Sequence, residues 1–423
     1  MKRKLIIASN RLPFKIEKKH GDYEIGISSG GLVSALRSFI EIYKHHYEIT
    51  WVGCPDFTLE AWTENQLLLH KQEFKIHPVF IPNKKEKSSY YNGFSNSTIW
   101  PLFHYFPSFA EFNEEQYKAY SKVNKLFSDE ILKIAKREDV IWIHDYHLMP
   151  LPELLKNHLT SVQIGFFLHI PFPSYEIFKL IPKGWREELL RGLLKADLLG
   201  FQTTEYVNHF LYAVSYFLGL ENTNGKIFHN GHICNVSDYP ISIDFNKFFE
   251  SFNLPAVKKG RRALTEKYKN EQIIFSVDRL DYTKGILNRL LAFEKLLEDN
   301  AGYKSKVVMI INVVPSRDSI KKYSQRKKMI EENIGRINGK YGNVDWQPII
   351  YQYRHLSFSQ LLTFYTSCHI ALVTPLRDGM NLVAKEFIAS RADRKGVLIL
   401  SELAGAANEL EMAVLLTQQT LLN

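Results

Sequence analysis

Cysteine is scarce in this chain. Cys54, Cys234 and Cys368 are odd in number and far apart, so they form neither a disulfide framework nor a zinc-binding spacing. A reducing, cytoplasmic compartment is the expectation. Long apolar runs are missing as well, none approaching the roughly 18 residues of a membrane span. The apolar stretch 5–8 near the amino terminus runs straight into Ser9, Asn10 and Arg11. It is too short for the ~7–15 apolar residues of a signal peptide and reads as a first buried strand. Charge of one sign is only mildly in excess, with 54 Lys and Arg against 45 Asp and Glu and a net charge of +9. The basic runs 84–87, 258–262 and 321–328 are separated and lack a stacking pattern of aromatics. They read as solvated faces rather than a nucleic-acid surface, although a positive field attracts phosphorylated small substrates.

What is present is length and alternation. A chain of 423 residues with 45% apolar content divides into two domains. The polar, basic stretch 245–262, with Pro255 and Gly260, marks the division, giving domains 1–245 and 246–423. Buried strands are expected at 4–9, 51–53, 140–144, 165–168, 196–202 and 239–244 in the first domain. In the second they fall at 273–277, 307–314, 348–351, 370–373 and 396–401. Helical periodicity fills the intervals, clearest at 32–42 and 286–297. The fold class is α/β, two Rossmann-like doubly wound parallel sheets facing across a cleft.

Four strand ends carry chemistry. The strand 370–373 is followed by Arg377, Asp378 and Gly379, where glycine can take a positive φ, and then by a helix from about Asn381. Such a helix start offers free backbone N–H groups to an anion, Glu386 one turn on can accept both hydroxyls of a ribose, and Asp378 can hold a second sugar. The strand 273–277 leads to Arg279 and Lys284, two cations across a loop that can grip a diphosphate and neutralise a departing phosphate. In the first domain, strands deliver Asp145, between His144 and His147, and His169, and Gly30-Gly31 opens a helix where a phosphate can approach. The run 90–101 interleaves aromatics and amides with Gly93 and Pro101, which predicts an irregular loop of the kind that lines sugar pockets.

These residues carry a resemblance. The runs Ser9-Asn10-Arg11-Leu12-Pro13, Gly30-Gly31-Leu32-Val33, 91–101, His144-Asp145-Tyr146-His147, 167–174, 278–285, 335–339 and 377–386 resemble the trehalose-6-phosphate synthases, retaining glucosyltransferases of the GT-B fold. The resemblance implies transfer of glucose from UDP-glucose to carbon 1 of glucose 6-phosphate. It implies that Arg11, Tyr91 and Arg317 meet the acceptor phosphate, with Trp100 beside the acceptor ring and Asp145 on its hydroxyls. On the donor side it implies Gly31, Arg279 and Lys284 at the diphosphate and Leu356 backbone at the nucleotide. His169 and Asp378 would hold the donor glucose, with Gly379, Met380 and Asn381 around it, Leu382 and Val383 would give helix-start amides, and Glu386 would hold the ribose. Asp145, His169, Arg279 and Lys284 are the candidate catalytic residues, none of them named a nucleophile. Retention through a covalent intermediate or through attack on the leaving-group face both stay open.

An Asp-X-Asp triplet is absent, so no metal or other cofactor is expected, and Arg279 and Lys284 would take a metal's place. Partners are the two small-molecule substrates, with homo-oligomerisation left open, no nucleic acid, no membrane, and a separate trehalose-6-phosphate phosphatase downstream. The run 181–186 is longer than the family's, and the chain stops short of the family's closing helices, which is expected to expose apolar surface and loosen the hinge. Two rival functions use the same residues. One is transfer to another phosphorylated acceptor; the other is an inactive regulatory relative that binds donor without turnover.

Overall fold

A computed structural model describes residues 3–19, 22–27, 31–63, 74–316 and 321–417. It divides into two compact units, Met1–Ile241 and Ser242–Asn423.

In the first unit the strands are β1 (Arg3–Arg11), β2 (Phe14–Lys19), β3 (Asp22–Ile27), β4 (Tyr47–Cys54), β5 (Lys75–Pro78), β6 (Val140–His144), β7 (Gln163–Phe167), β8 (Leu198–Phe201), β9 (Asn222–Thr223), β10 (Lys226–His229) and β11 (His232–Asp238). β2 and β3 form a separate hairpin; the others make one sheet in the order β5-β4-β1-β6-β7-β8-β11-β10-β9. Pairing is parallel from β5 to β11 and antiparallel beyond it. The apolar runs of β1 and β4 are buried on both faces, with Ile6, Ile7, Ala8, Trp51 and Val52 sealed from solvent, as a parallel sheet covered by helices requires, and β6 seals Ile141 and Ile143 on one face.

Strand order reverses between β1 and β6, because the chain winds from β1 outward to β4 and β5 and then returns to build the other side. Ligands of doubly wound sheets bind at such a point, beyond the carboxyl ends of the strands. Arg11 leaves β1 there through a register shift between Ala8 and Arg11, and Leu12 donates to the Cys54 carbonyl at 3.1 Å. Gly53 permits that close approach: a Cβ at this position would lie 2.8 Å from the Arg11 carbonyl carbon.

Two expectations fail in this unit. Residues 239–244 form no strand; β11 is the last, and the chain beyond it runs irregularly because Pro240 has no N–H for a ladder and Ile241 N–H donates to the Gln202 side chain at 3.0 Å. Nor is 90–101 irregular. Ser89–Ile99 winds in wide helical turns and passes directly into the helix Trp100–Phe103. Asn96 and Ser97 side chains donate to the carbonyls of Tyr91 and Asn92 five residues back, at 2.7 and 2.9 Å, and Gly93 absorbs the kink at φ −72, ψ −109.

The second unit holds β12 (Gln272–Arg279), β13 (Val307–Val314), β14 (Ile349–Tyr353), β15 (Ile370–Val373), β16 (Val397–Ser401) and β17 (Val414–Leu416). They form one parallel sheet in the order β14-β13-β12-β15-β16-β17. Its reversal lies between β12 and β15, the two strands that lead to Arg279, Lys284 and Asp378. Phe245 opens the first helix of this unit, Phe245–Ser251, capped by Asp244. The three cysteines are buried, and burial pushes each thiol up to about 12, so none is a poised nucleophile. No described helix is long and apolar enough to cross a membrane.

Candidate active site

At the reversal in the first unit, β6 ends on His144 and the chain turns sharply at Asp145, whose φ of 77 and ψ of 167 are strained for any residue but glycine. The turn is anchored on both sides. Asp145 N–H donates to the Phe167 carbonyl at 2.8 Å, and its carboxylate accepts the N–H of His169 at 3.2 Å. The Gln202 amide donates to the His169 carbonyl at 3.4 Å. The His169 ring lies against His144, with His144 Nδ1 3.1 Å from His169 Nε2. Burial, with His169 beside it, pushes His144 well below the usual imidazole range, and burial takes His169 down to about 3. Both rings are therefore neutral at physiological pH.

The residues expected to meet an acceptor gather beside this turn. The Arg11 guanidinium lies 4.8 Å from the Tyr91 ring centre, and Tyr91 stacks on His147 at 5.7 Å with an interplanar angle of 7°. Tyr146 packs on His147 at 3.9 Å and on Trp100 at 5.8 Å, and its hydroxyl donates to Asn96 at 2.9 Å. Trp100 is buried, with His104 4.1 Å away. Thus the wide-turned segment brings Tyr91 and Trp100 to the residues that follow Asp145. Gly31 opens the helix Gly31–Tyr43; Gly30 and Arg317 lie outside the described residues.

In the second unit, Arg279 is exposed at the end of β12 and Lys284 is buried at the end of a short turn, Tyr282–Lys284. Asp281 shapes that turn, accepting from Thr283 N–H at 3.0 Å and from the Tyr323 hydroxyl at 2.9 Å. Lys284 Nζ meets Asp378 Oδ2 at 2.5 Å, and the Asn381 amide donates to the same oxygen at 3.0 Å. Gly285, at φ 67, lets the chain re-enter a helix where a Cβ would lie 2.6 Å from the Thr374 carbonyl oxygen.

The positive φ expected at Gly379 is found at Asn381 instead, at φ 78, because Asn381 caps the helix Leu382–Ser390 by accepting from Ala384 N–H at 3.2 Å. The cap leaves the first-turn amides of Leu382 and Val383 without an intrahelical acceptor. Met380 is buried, and its carbonyl accepts from Ala406 N–H at 2.7 Å. One turn on, Glu386 accepts from the Tyr365 hydroxyl at 3.0 Å. Burial raises its carboxyl to about 7, with Tyr365 and Lys247 pulling the other way. Leu356 is half-buried just before Ser357, which caps the helix Phe358–Ser367 together with Gln360.

The sequence reading missed Arg289. Fully buried, it pairs with Asp278 at 2.6 Å, donates to Thr374 Oγ1 at 3.1 Å, and also bonds Ser276 and the Lys284 carbonyl. It ties the ends of β12 and β15 to the Lys284 turn. The available signal was an arginine within the apolar stripe of 286–297.

Two doubly wound parallel sheets, each gathering polar groups at its own reversal, place the chain in the class of proteins with the GT-B type of fold. The chain belongs to glycosyltransferase family 20, whose family model matches residues 3–417. It is 42% identical over 418 residues to a bifunctional trehalose-6-phosphate synthase/phosphatase of Thermoproteus tenax, covering 98% of this chain and 56% of that one. The chain thus spans little more than half of that relative's length. Among solved structures, an alpha,alpha-trehalose-phosphate synthase (UDP-forming) of Burkholderia xenovorans in complex with glucose-6-phosphate is 30% identical, with a TM-score of 0.87 over 99% of this chain and 89% of that one. An E. coli trehalose-6-phosphate structure bound with UDP-2-fluoro glucose is 33% identical, with a TM-score of 0.86 over 99% of this chain and 88% of that one.

Proposed function

We propose that the chain is a UDP-forming α,α-trehalose-phosphate synthase, moving glucose from UDP-glucose to glucose 6-phosphate with retention of configuration. The observation that carries this reading is the second unit's reversal. There Lys284 and Asp378 are paired beside the amides of Leu382 and Val383, with Glu386 one turn further on. A diphosphate suits the amides and Lys284, a glucose suits Asp378, and a ribose suits Glu386. Arg279, exposed at the strand end, adds a second cation for the charge that grows on departing UDP.

In the first unit Arg11 over Tyr91 offers a guanidinium fork to the acceptor phosphate, and Asp145 a carboxylate to the acceptor hydroxyls. Arg317 joins Arg11 in this reading. The acceptor's C1 hydroxyl attacks the anomeric carbon on the face from which UDP leaves. The carbon–oxygen bond to UDP breaks as the new one forms, and the leaving phosphate oxygen takes the hydroxyl proton. No residue serves as a nucleophile, and no metal is needed because Arg279 and Lys284 supply the positive charge. The bound ligands of the two solved relatives support these substrates, and the bifunctional relative supports a phosphatase as the activity that follows.

The test is UDP release from UDP-glucose with and without glucose 6-phosphate, in chelator, alongside Arg11→Ala. Turnover should require glucose 6-phosphate and survive the chelator. Loss of a charge-assisted phosphate contact should raise the variant's KM for glucose 6-phosphate about tenfold or more. Donor binding without turnover on any phosphorylated acceptor would overturn the reading in favour of an inactive relative.

A further inference from the structure

His144 has no role in the proposed function, yet it is a buried titratable group held between two rings. It is 1% exposed, packed on Trp142 at 4.5 Å, and its side chain's only hydrogen bond among the described residues joins Nδ1 to His169 Nε2 at 3.1 Å. Its Nε2 is sealed from solvent with no partner among the described residues. Two neutral imidazoles joined nitrogen to nitrogen share one proton along the bond, and the second proton of each ring is fixed by where the first one sits.

Two arrangements exist. If His169 donated from Nε2, His144 would carry its own proton on the sealed Nε2, a buried N–H without an acceptor, which costs the desolvation of that donor. If His144 donates from Nδ1, its Nε2 is left as a bare lone pair, and His169, neutral and accepting at Nε2, must carry its proton on Nδ1. The second arrangement orphans no donor. His169 is only half-buried, and no described protein group bonds its Nδ1. Its backbone is clamped meanwhile by Asp145 and Gln202.

We propose that His144 is a positioning residue that fixes His169 as the Nδ1–H tautomer, so that His169 meets the sugar substrate as a hydrogen-bond donor and not as a base. The identity of the sugar rests on the function proposed above; the tautomer does not. A donor N–H at this point suits a hydroxyl or ring oxygen of the glucose being transferred. It leaves the proton of the attacking hydroxyl to the leaving phosphate, since an imidazole with its free lone pair turned inward cannot take it.

The experiment is nitrogen NMR of the full chain with 15N-labelled histidine, His144 and His169 being assigned with single variants. His169 should show a protonated Nδ1 and an unprotonated Nε2. In His144→Phe the His169 Nε2 lone pair loses its donor, so its nitrogen signal should move toward that of an unbonded imidazole nitrogen and the ring should lose its fixed position, and kcat should fall about tenfold, the value of one hydrogen bond in the transition state, with the acceptor KM little changed. His144→Asn, whose amide N–H stands close to the lost Nδ1–H, should recover most of that loss. An Nε2-protonated His169 in the unaltered chain overturns the proposal, as does a Phe variant whose His169 spectrum is unchanged. If the Phe variant does not fold, the spectra of the unaltered and Asn chains decide. Absence of turnover in the unaltered chain would defeat the functional reading while the spectrum still decided the tautomer.

Discussion

At its reversal the first unit gathers rings. Arg11, Tyr91, His147, Tyr146 and Trp100 lie in a continuous stack, and the two histidines at the strand ends are held neutral by burial. At its own reversal the second unit gathers charge, with Arg289 on Asp278 and Lys284 on Asp378 in a largely buried ladder. The topology is the same and the chemistry is opposite. The rings of Tyr146, His147 and Trp100 are buried and hold the half-buried Tyr91 and the exposed Arg11 in place, where the proposed function puts the acceptor phosphate. In the same proposal, fixed cations suit a diphosphate that must leave with more negative charge than it brought. Each unit also carries its own form of tension: backbone strain at Asp145 in the first, desolvated charge in the second.

Removing the charge should do the most damage. Arg289→Ala strands Asp278 in a buried site and removes the side-chain tie between the ends of β12 and β15, and breaking one partner of a buried ion pair destabilises by ~3–5 kcal/mol. Burial already pushes the Asp278 carboxyl up against the pull of Arg289, so removing that pull moves it further up. The loss should then be smaller at low pH, because below its native pKa the bare Asp278 is neutral. Urea melts at pH 5 and pH 8 check both points; equal stability to the parent at pH 8 would show that the ladder is not what holds the second reversal.

Relaxing the strain in the first unit should do less and have the opposite sign. Asp145→Ala and Asp145→Gly both lose the carboxylate that accepts His169 N–H, and both should lose most of their turnover. Only glycine is at ease at φ 77, so the Gly variant should be the more stable of the two by ~1–2 kcal/mol. Equal midpoints for the pair would mean that the turn relaxes in the absence of the carboxylate.

How much of this was legible beforehand differs between the units for physical reasons. Strands buried on both faces announce themselves as continuous apolar runs, and β13 and β15 fall where the sequence puts them. The turn motifs likewise put Lys284, Asp378 and Glu386 at strand ends and helix starts. What escaped depends on long-range pairing. The place of Arg289 in the apolar stripe marks it as buried but not its partners, Asp278 and Thr374, which only the fold brings over it, and the wide turns of 89–99 depend on side-chain bonds that reach back five residues. The β9-β10-β11 meander is another matter. Asn224-Gly225 and Asn230-Gly231 both take positive φ, the sign of tight hairpin turns, and that signal stood in the sequence unread.

The smallest expected effect lies within the second unit, where the Tyr365 hydroxyl reaches Glu386. Glu386 has its carboxyl raised to about 7 from an ordinary 4.5, so between those values the native chain holds a proton that the unfolded chain has lost. This group's contribution to stability therefore falls as pH rises through that window. In the proposed function ribose recognition needs the carboxylate, so the KM for UDP-glucose should climb as pH falls below about 7, by up to about tenfold per unit. The neutral imidazoles of the first unit should add no inflection to kcat over the same range, because His169 titrates near 3. Tyr365→Phe removes the donor that favours the charged form, so the inflection in donor KM should move to higher pH. At pH 7.5 the donor KM should then rise by no more than about tenfold, the value of one hydrogen bond, with kcat at saturation little changed. An inflection that stays in place in the Phe variant would remove Tyr365 from control of Glu386 and leave burial alone to set it.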